Sequence, residues 1–215
     1  MHKRKNNIEI IGLPGSGKST IANLVKENSR FCVVQLNTKF EKASFLGVFI
    51  FLKPIYFLKY IKLIQGQPLL IRSYVRHLFF ISCAKEAKAF FYSLFSKKIF
   101  LIDEGLCQRL LSIFEGKIET LILRKHLSSL PTWKKKFLVV EGTGFDRFST
   151  AEDSMFSPRF KMGEVYLEAW KKDLEFNFYQ VVDILSKNKS CIFIDNSQRS
   201  RLPKGVIIQN ILNLK

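Results

Sequence analysis

The segment Gly12-Leu13-Pro14-Gly15-Ser16-Gly17-Lys18-Ser19 matches G-x-x-x-x-G-K-[ST] at every required position, and Thr20 follows it. This pattern needs a particular setting: a strand must enter it and a helix must leave it, so that backbone N–H groups converge on an anion at the helix N-terminus. The flanks supply both. Ile8 to Ile11 is a short β-branched run, and Ser19 to Lys26 reads as a helix with Ile21, Leu24 and Val25 inward. Glycines at 12, 15 and 17 leave room for phosphate oxygens to approach the backbone. Lys18 is placed to reach the terminal phosphates, and the Ser19 hydroxyl to bind Mg²⁺ beside them.

Four further apolar runs have strand character: Phe31 to Leu36, Lys98 to Ile102, Phe137 to Val140 and Cys191 to Ile194. Strands apolar along their whole length are buried on both faces, which implies a parallel sheet. Helical stretches lie between them over Lys42–Ser96, Leu106–Leu130 and Met162–Ser186. Strand and helix in alternation predict an open, doubly wound α/β domain. The chain has 215 residues, so one such domain with an embellishment accounts for it.

The run Ile99-Phe100-Leu101-Ile102 ends in Asp103-Glu104-Gly105. Acids at the carboxyl end of a central strand face the ligand side of an open sheet. Asp103 is expected to hold Mg²⁺, directly or through water, and either Asp103 or Glu104 could position or deprotonate an acceptor hydroxyl.

The order of these features resembles the nucleoside and nucleotide kinase group of P-loop enzymes, thymidylate-kinase-like and adenylate-kinase-like in pattern. The resemblance implies a three-layer P-loop fold with sheet order 2-3-1-4-5 and strands at 8–11, 31–36, 98–102, 137–141 and 191–195. It makes 41–96 a helical insertion that builds the acceptor pocket and 145–160 a lid. It implies ATP and Mg²⁺ as cofactors, with Gly12, Pro14, Gly15, Ser16, Gly17, Lys18, Ser19, Thr20 and Arg199 binding nucleotide, and Ser19 and Asp103 holding the metal. The implied catalytic set is Lys18, Asp103, Glu104, Arg147 and Arg159, the two arginines flanking the lid; Arg201 accompanies Arg199 in the loop after the last strand, and Glu141 ends strand 4. Within the insertion Glu41, Arg72, Arg76 and Lys85 are candidates for the acceptor, because arginine grips phosphate or carboxylate bidentately. The sequence departs from the group in two respects: no clustered R-x-x-x-R lid is present, and Asp103-Glu104 stands where thymidylate kinases have Asp-Arg.

The expected function is therefore transfer of the γ-phosphoryl of ATP to a nucleoside, nucleotide or sugar-type acceptor. The alternative is a P-loop NTPase that couples hydrolysis to binding of nucleic acid, membrane or a protein partner. Charge bears on that choice: 35 Lys+Arg against 18 Asp+Glu give +17, a surface that attracts anions, although a Lys-, Asn- and Phe-rich composition also arises without a basic partner. No N-K-x-D guanine-reading motif occurs. Ala43 to Leu52 carries no charge, but Lys53-Pro54 interrupts the apolar run well short of the roughly 20 residues that a spanning helix needs. The 43–64 segment is then core, pocket wall or a peripheral membrane contact, and its aromatic content also allows a homodimer. Cys32, Cys83, Cys107 and Cys191 are unpaired in spacing, and His2, His77 and His126 are scattered, so neither a zinc site nor a disulfide framework is expected. Unpaired cysteines and a basic segment 1–7 that leads straight into a strand make a cytoplasmic location, with or without membrane association, the expectation.

Overall fold

The computed structural model describes residues 7–130, 135–142, 158–187, 191–196 and 204–212. Five parallel strands form one sheet in the order β2-β3-β1-β4-β5: β1 Asn7–Gly12, β2 Phe31–Val33, β3 Ile99–Asp103, β4 Lys135–Glu141 and β5 Cys191–Asp195. Successive side chains of a strand point to opposite faces, and both faces here are covered. Ile8, Ile10, Leu138 and Val140 pack with Ile21 and Val25 of α1 (Lys18–Lys26) and with Ile207 and Ile211 of the last described helix. On the other face Ile11, Phe137 and Val139 join a larger core with Phe79, Cys83, Leu110 and Phe178. Continuous apolar strands thus mark the middle layer of three, as expected.

The insertion between β2 and β3 is three helices rather than one continuous stretch: α2 Lys39–Leu52, α3 Pro54–Gln65 and α4 Leu69–Phe95. Lys53 precedes a proline and is neither helical nor extended, with φ −140° and ψ 53°, in line with the bar to helical backbone before proline, and α2 and α3 meet there at 110°. Pro68 precedes α4 as its N-cap residue. The expected helix 106–130 is also divided, into α5 Leu106–Ile113 and α6 Thr120–Ser128. Asn177 of α7 (Glu164–Lys187) holds the connection, accepting from Ile118 N and donating to Gly116 O, each at 2.9 Å. The chain ends in α8, Lys204–Leu212.

Strand β2 is shorter than the run 31–36. Val34 N still reaches Leu101 O at 2.8 Å, but beyond it side chains satisfy the backbone: Lys88 Nζ donates to Gln35 O, and Asn37 N donates to Glu41 Oε2 at 2.7 Å. β2 is an edge strand, so its apolar sequence could not show where pairing stops. The four cysteines are free thiols.

Candidate functional site

Strand β1 ends at Gly12 and α1 begins at Lys18, so the loop between them lies over the carboxyl edge of the sheet. Its path requires glycine. Gly17 has φ +94°, and a Cβ there would sit 2.3 Å from Asn196 Nδ2. At Gly12 a Cβ would meet Val140 O at 2.6 Å. The loop is anchored from outside: Gly12 N donates to Gln108 Oε1 at 3.0 Å, and Asn196 Nδ2 donates to Ser16 O at 2.8 Å.

Lys18 folds back on this loop, donating to Gly12 O at 3.0 Å and to Leu13 O at 2.9 Å. Burial lowers the pKa of its ammonium, although Glu104 and Asp103 oppose that shift. The loop therefore encloses a desolvated cation that an anion would stabilise. Ser16 Oγ is buried and has no hydrogen-bond partner.

Parallel pairing sets Asp103 of β3 opposite Ile10 of β1, two residues before Gly12. From there Asp103 Oδ2 accepts from Ser19 Oγ at 3.1 Å. Asp103 Oδ1 is buried without a partner. Burial, then the charge of Glu104, raise the Asp103 pKa. A hydroxyl and a carboxylate with one unsatisfied oxygen are hard donors that fit Mg²⁺, which binds through one or two protein oxygens plus phosphates and waters. Among the described residues no group of three or more His, Cys, Asp or Glu could hold a metal by itself.

Glu104 takes φ +57°, an uncommon left-handed conformation for a residue with a side chain. Two neighbours hold it there. Ser82 Oγ donates to Glu104 O at 2.8 Å, and Arg109 pairs with the carboxylate. Burial alone would raise the Glu104 pKa, but Arg109, Lys18 and Lys85 outweigh it and leave the carboxyl below its usual range. Lys85 Nζ donates to Asp103 O at 2.7 Å, and burial lowers its pKa against the pull of Asp103 and Glu104. A cavity of about 410 Å³ opens beside this cluster, with Ser19, Asn23, Gln35, Asn37, Lys85 and Asp103 in its wall.

The structure thus brings together Gly12, Gly17, Lys18, Ser19, Asp103, Glu104 and Lys85. Pro14 and Gly15 lie in the loop and Thr20 is exposed on α1. Glu141 ends β4, and its carbonyl accepts from Asn196 N at 2.7 Å. Arg72 is not at the cavity; it donates to Gln67 O at 3.2 and 2.9 Å, and Arg76 is exposed. Glu41 pairs with Lys88 near the cavity's edge. Arg159 has a setting unlike the expected flank of a lid: it is 2% exposed, ion-paired with Glu115, bonded to Ser112 O at 2.9 Å and stacked over Trp170. Arg147, Arg199 and Arg201 lie outside the described residues, as does 145–157 of the lid segment.

Sequence reasoning missed the roles of Glu9, Gln108, Ser82 and Asn196. Glu9 carried a signal, as the one acid inside an otherwise apolar strand; it is 0% exposed and accepts from Gln108 N at 2.9 Å.

No family model and no curated protein matches the chain. Two solved structures are similar over 96% of this chain and 97% of theirs: deoxyadenosine kinase from M. mycoides with bound dATP, at 15% identity and a TM-score of 0.46, and the same enzyme with the products dCMP and a flexible dCDP, at 14% and 0.48. The class itself rests on the chain's own features: a five-stranded parallel sheet in the order 2-3-1-4-5, a phosphate loop after its central strand and a helical insertion between strands 2 and 3 make this a three-layer P-loop fold.

Proposed function

We propose that the protein is an ATP- and Mg²⁺-dependent kinase that phosphorylates a hydroxyl of a nucleoside or sugar-type acceptor. One observation carries the reading: Ser19 and Asp103 meet at 3.1 Å, with the second Asp103 oxygen unpartnered, at the wall of a cavity large enough for a small acceptor. Phosphoryl transfer asks a protein chiefly for positioning and charge neutralisation. Each part is assigned from the residues present. The loop amides and Lys18 bind the phosphates, and the bound anion restores the charge that burial disfavours on Lys18. Ser19 and Asp103 hold Mg²⁺, which neutralises phosphate charge when bound. Glu104, kept ionised by Arg109, stabilises the two lysines beside it.

The cavity wall indicates which end of the acceptor enters. Among the described wall residues Asn23, Gln35 and Asn37 are neutral and Lys85 is the single cation, and the insertion's Arg72 is engaged elsewhere. A phosphate acceptor calls for bidentate arginine, whereas amides and one lysine suit hydroxyls. Arg147 and Arg199 retain in this proposal the charge-stabilising and nucleotide-binding roles that the family resemblance implies.

The test is incubation with Mg²⁺-ATP and pools of nucleosides, nucleoside monophosphates and sugars, following ADP and new phosphoesters by mass spectrometry. Acceptor-dependent ADP with a phosphorylated nucleoside or sugar is expected. Phosphorylation of monophosphates alone would overturn the acceptor assignment, and ADP release indifferent to every acceptor would overturn the kinase reading.

A further inference from the structure

At the bend between α2 and α3 the chain turns large apolar side chains outward: Phe51 is 85% exposed, Ile55 82% and Leu58 65%. The same two helices already fill the core from their inner side, with Phe49, Tyr56, Tyr60 and Ile64 all buried. α3 is therefore apolar on both sides, whereas a helix with one wet face ordinarily presents polar residues there. Ile55, Leu58 and Lys62 follow one another at spacings of three and four along α3 and form a single exposed stripe. Phe51 and Leu52 extend it around the 110° bend.

The charge around this stripe is of one sign. Between Lys42 and Lys62 the sequence has no Asp or Glu, and it has four lysines: Lys42, Lys53, Lys59 and Lys62. Basic residues beside exposed apolar groups match an anionic lipid surface, where lysines meet headgroups and apolar side chains enter the acyl boundary. It matches a second copy of the chain poorly, because a two-fold contact would set like charges against each other. Spanning is a different matter. Among the described residues no single helix is long and apolar enough to cross a membrane, and α2 with α3 could do so only by withdrawing Phe49, Tyr60 and Ile64 from the core.

We propose that the apex formed by Phe51, Leu52, Ile55 and Leu58, framed by Lys53 and Lys62, seats the folded protein on an anionic membrane surface. Apolar insertion and basic attraction act together, so loss of either weakens binding. The proposal does not depend on the kinase reading, and its test reads no turnover.

The full-length protein is co-sedimented with vesicles of phosphatidylcholine containing phosphatidylserine and with phosphatidylcholine alone, at low and high salt. Binding is expected only with phosphatidylserine and at low salt. It should fall about tenfold or more in the double variant Phe51→Ser/Ile55→Ser, and similarly in Lys53→Gln/Lys62→Gln. Because the replaced side chains lie outside the core, both variants should melt as the parent does. In Phe51→Trp, brominated acyl chains should quench the new fluorescence. Absence of binding, binding indifferent to the Phe51/Ile55 change, or indole fluorescence that the brominated chains leave unquenched would each overturn the proposal. So would a concentration-dependent dimer in analytical ultracentrifugation that the double serine variant dissolves, because the face would then serve a second copy of the chain.

Discussion

The amide of Gly12 donates to the side-chain oxygen of Gln108 at 3.0 Å, joining the first residue of the phosphate loop to a helix 96 positions away. Gln108 is itself held, its own amide donating to the buried carboxylate of Glu9 at 2.9 Å. Strand β1, helix α5 and the loop thus share one buried polar chain, and such a chain is sensitive to losing any member.

Replacing Gln108 by Ala should leave the Gly12 N–H buried and unpaired, costing about 1–3 kcal/mol of stability. Nucleotide affinity should fall as well, because the loop loses its anchor. Chemical denaturation and isothermal titration with an ATP analogue check both. An unchanged affinity would show that the anchor does not set the loop's shape.

Lys18→Ala should abolish phosphoryl transfer, by two orders of magnitude or more if the side chain acts on transition-state charge as such groups do. It should also raise the melting temperature of the nucleotide-free protein. Burial lowers the folded pKa of Lys18, so its charge opposes folding below the unfolded pKa, and that penalty lessens as pH rises through the folded pKa. Thermal melts across pH, with and without Mg²⁺-ATP, should show a gain at neutral pH that shrinks in alkali, together with loss of nucleotide-induced stabilisation.

Asp103→Asn should lower Mg²⁺-dependent turnover by orders of magnitude. Here the sign of the stability effect is the acidic counterpart. The folded pKa of Asp103 is raised by burial and by Glu104, so its ionised form opposes folding at neutral pH, and that penalty disappears as pH falls through the folded pKa. The Asn variant should therefore melt higher than the parent near neutrality and equal to it in acid. A variant that melts lower at neutral pH would mean that the Ser19 contact outweighs desolvation.

Arg159→Ala should destabilise the fold by about 3–5 kcal/mol, since it strands the Glu115 carboxylate in a largely buried site. Tyr166, whose hydroxyl donates to Glu115 and whose pKa is raised by burial and by that carboxylate, belongs to the same cluster. Normal stability with collapsed turnover would return Arg159 to the lid role suggested by its position in the sequence.

The sheet was legible because its strands are apolar on both faces, and the loop because few other arrangements place glycines and a lysine at those spacings. Ser19 was picked out by the loop motif and Asp103 by the acids that end an apolar strand, whereas the order that sets β3 beside β1 was implied by the family resemblance. Other features left less trace. The end of β2 depends on Lys88 reaching back from α4 across 53 positions and on Glu41 at the start of α2, side-chain contacts that leave no periodic pattern. Arg72 and Arg76, one turn apart, looked like an anion clamp, yet Arg72 serves the start of its own helix. Residues 43–64 had three open readings, and both helices of that segment proved to bury one side in the core while exposing apolar groups on the other.

Asn196 donates to Ser16 O across 180 positions of sequence. During synthesis, at about 5–20 residues per second, the loop would emerge roughly 10–40 seconds before the residue that closes over it. Until then the nascent chain holds the loop sequence without this tether from the end of β5. Nucleotide would therefore meet a loop lacking its final brace throughout that interval, and full binding competence would be acquired only once Asn196 has emerged.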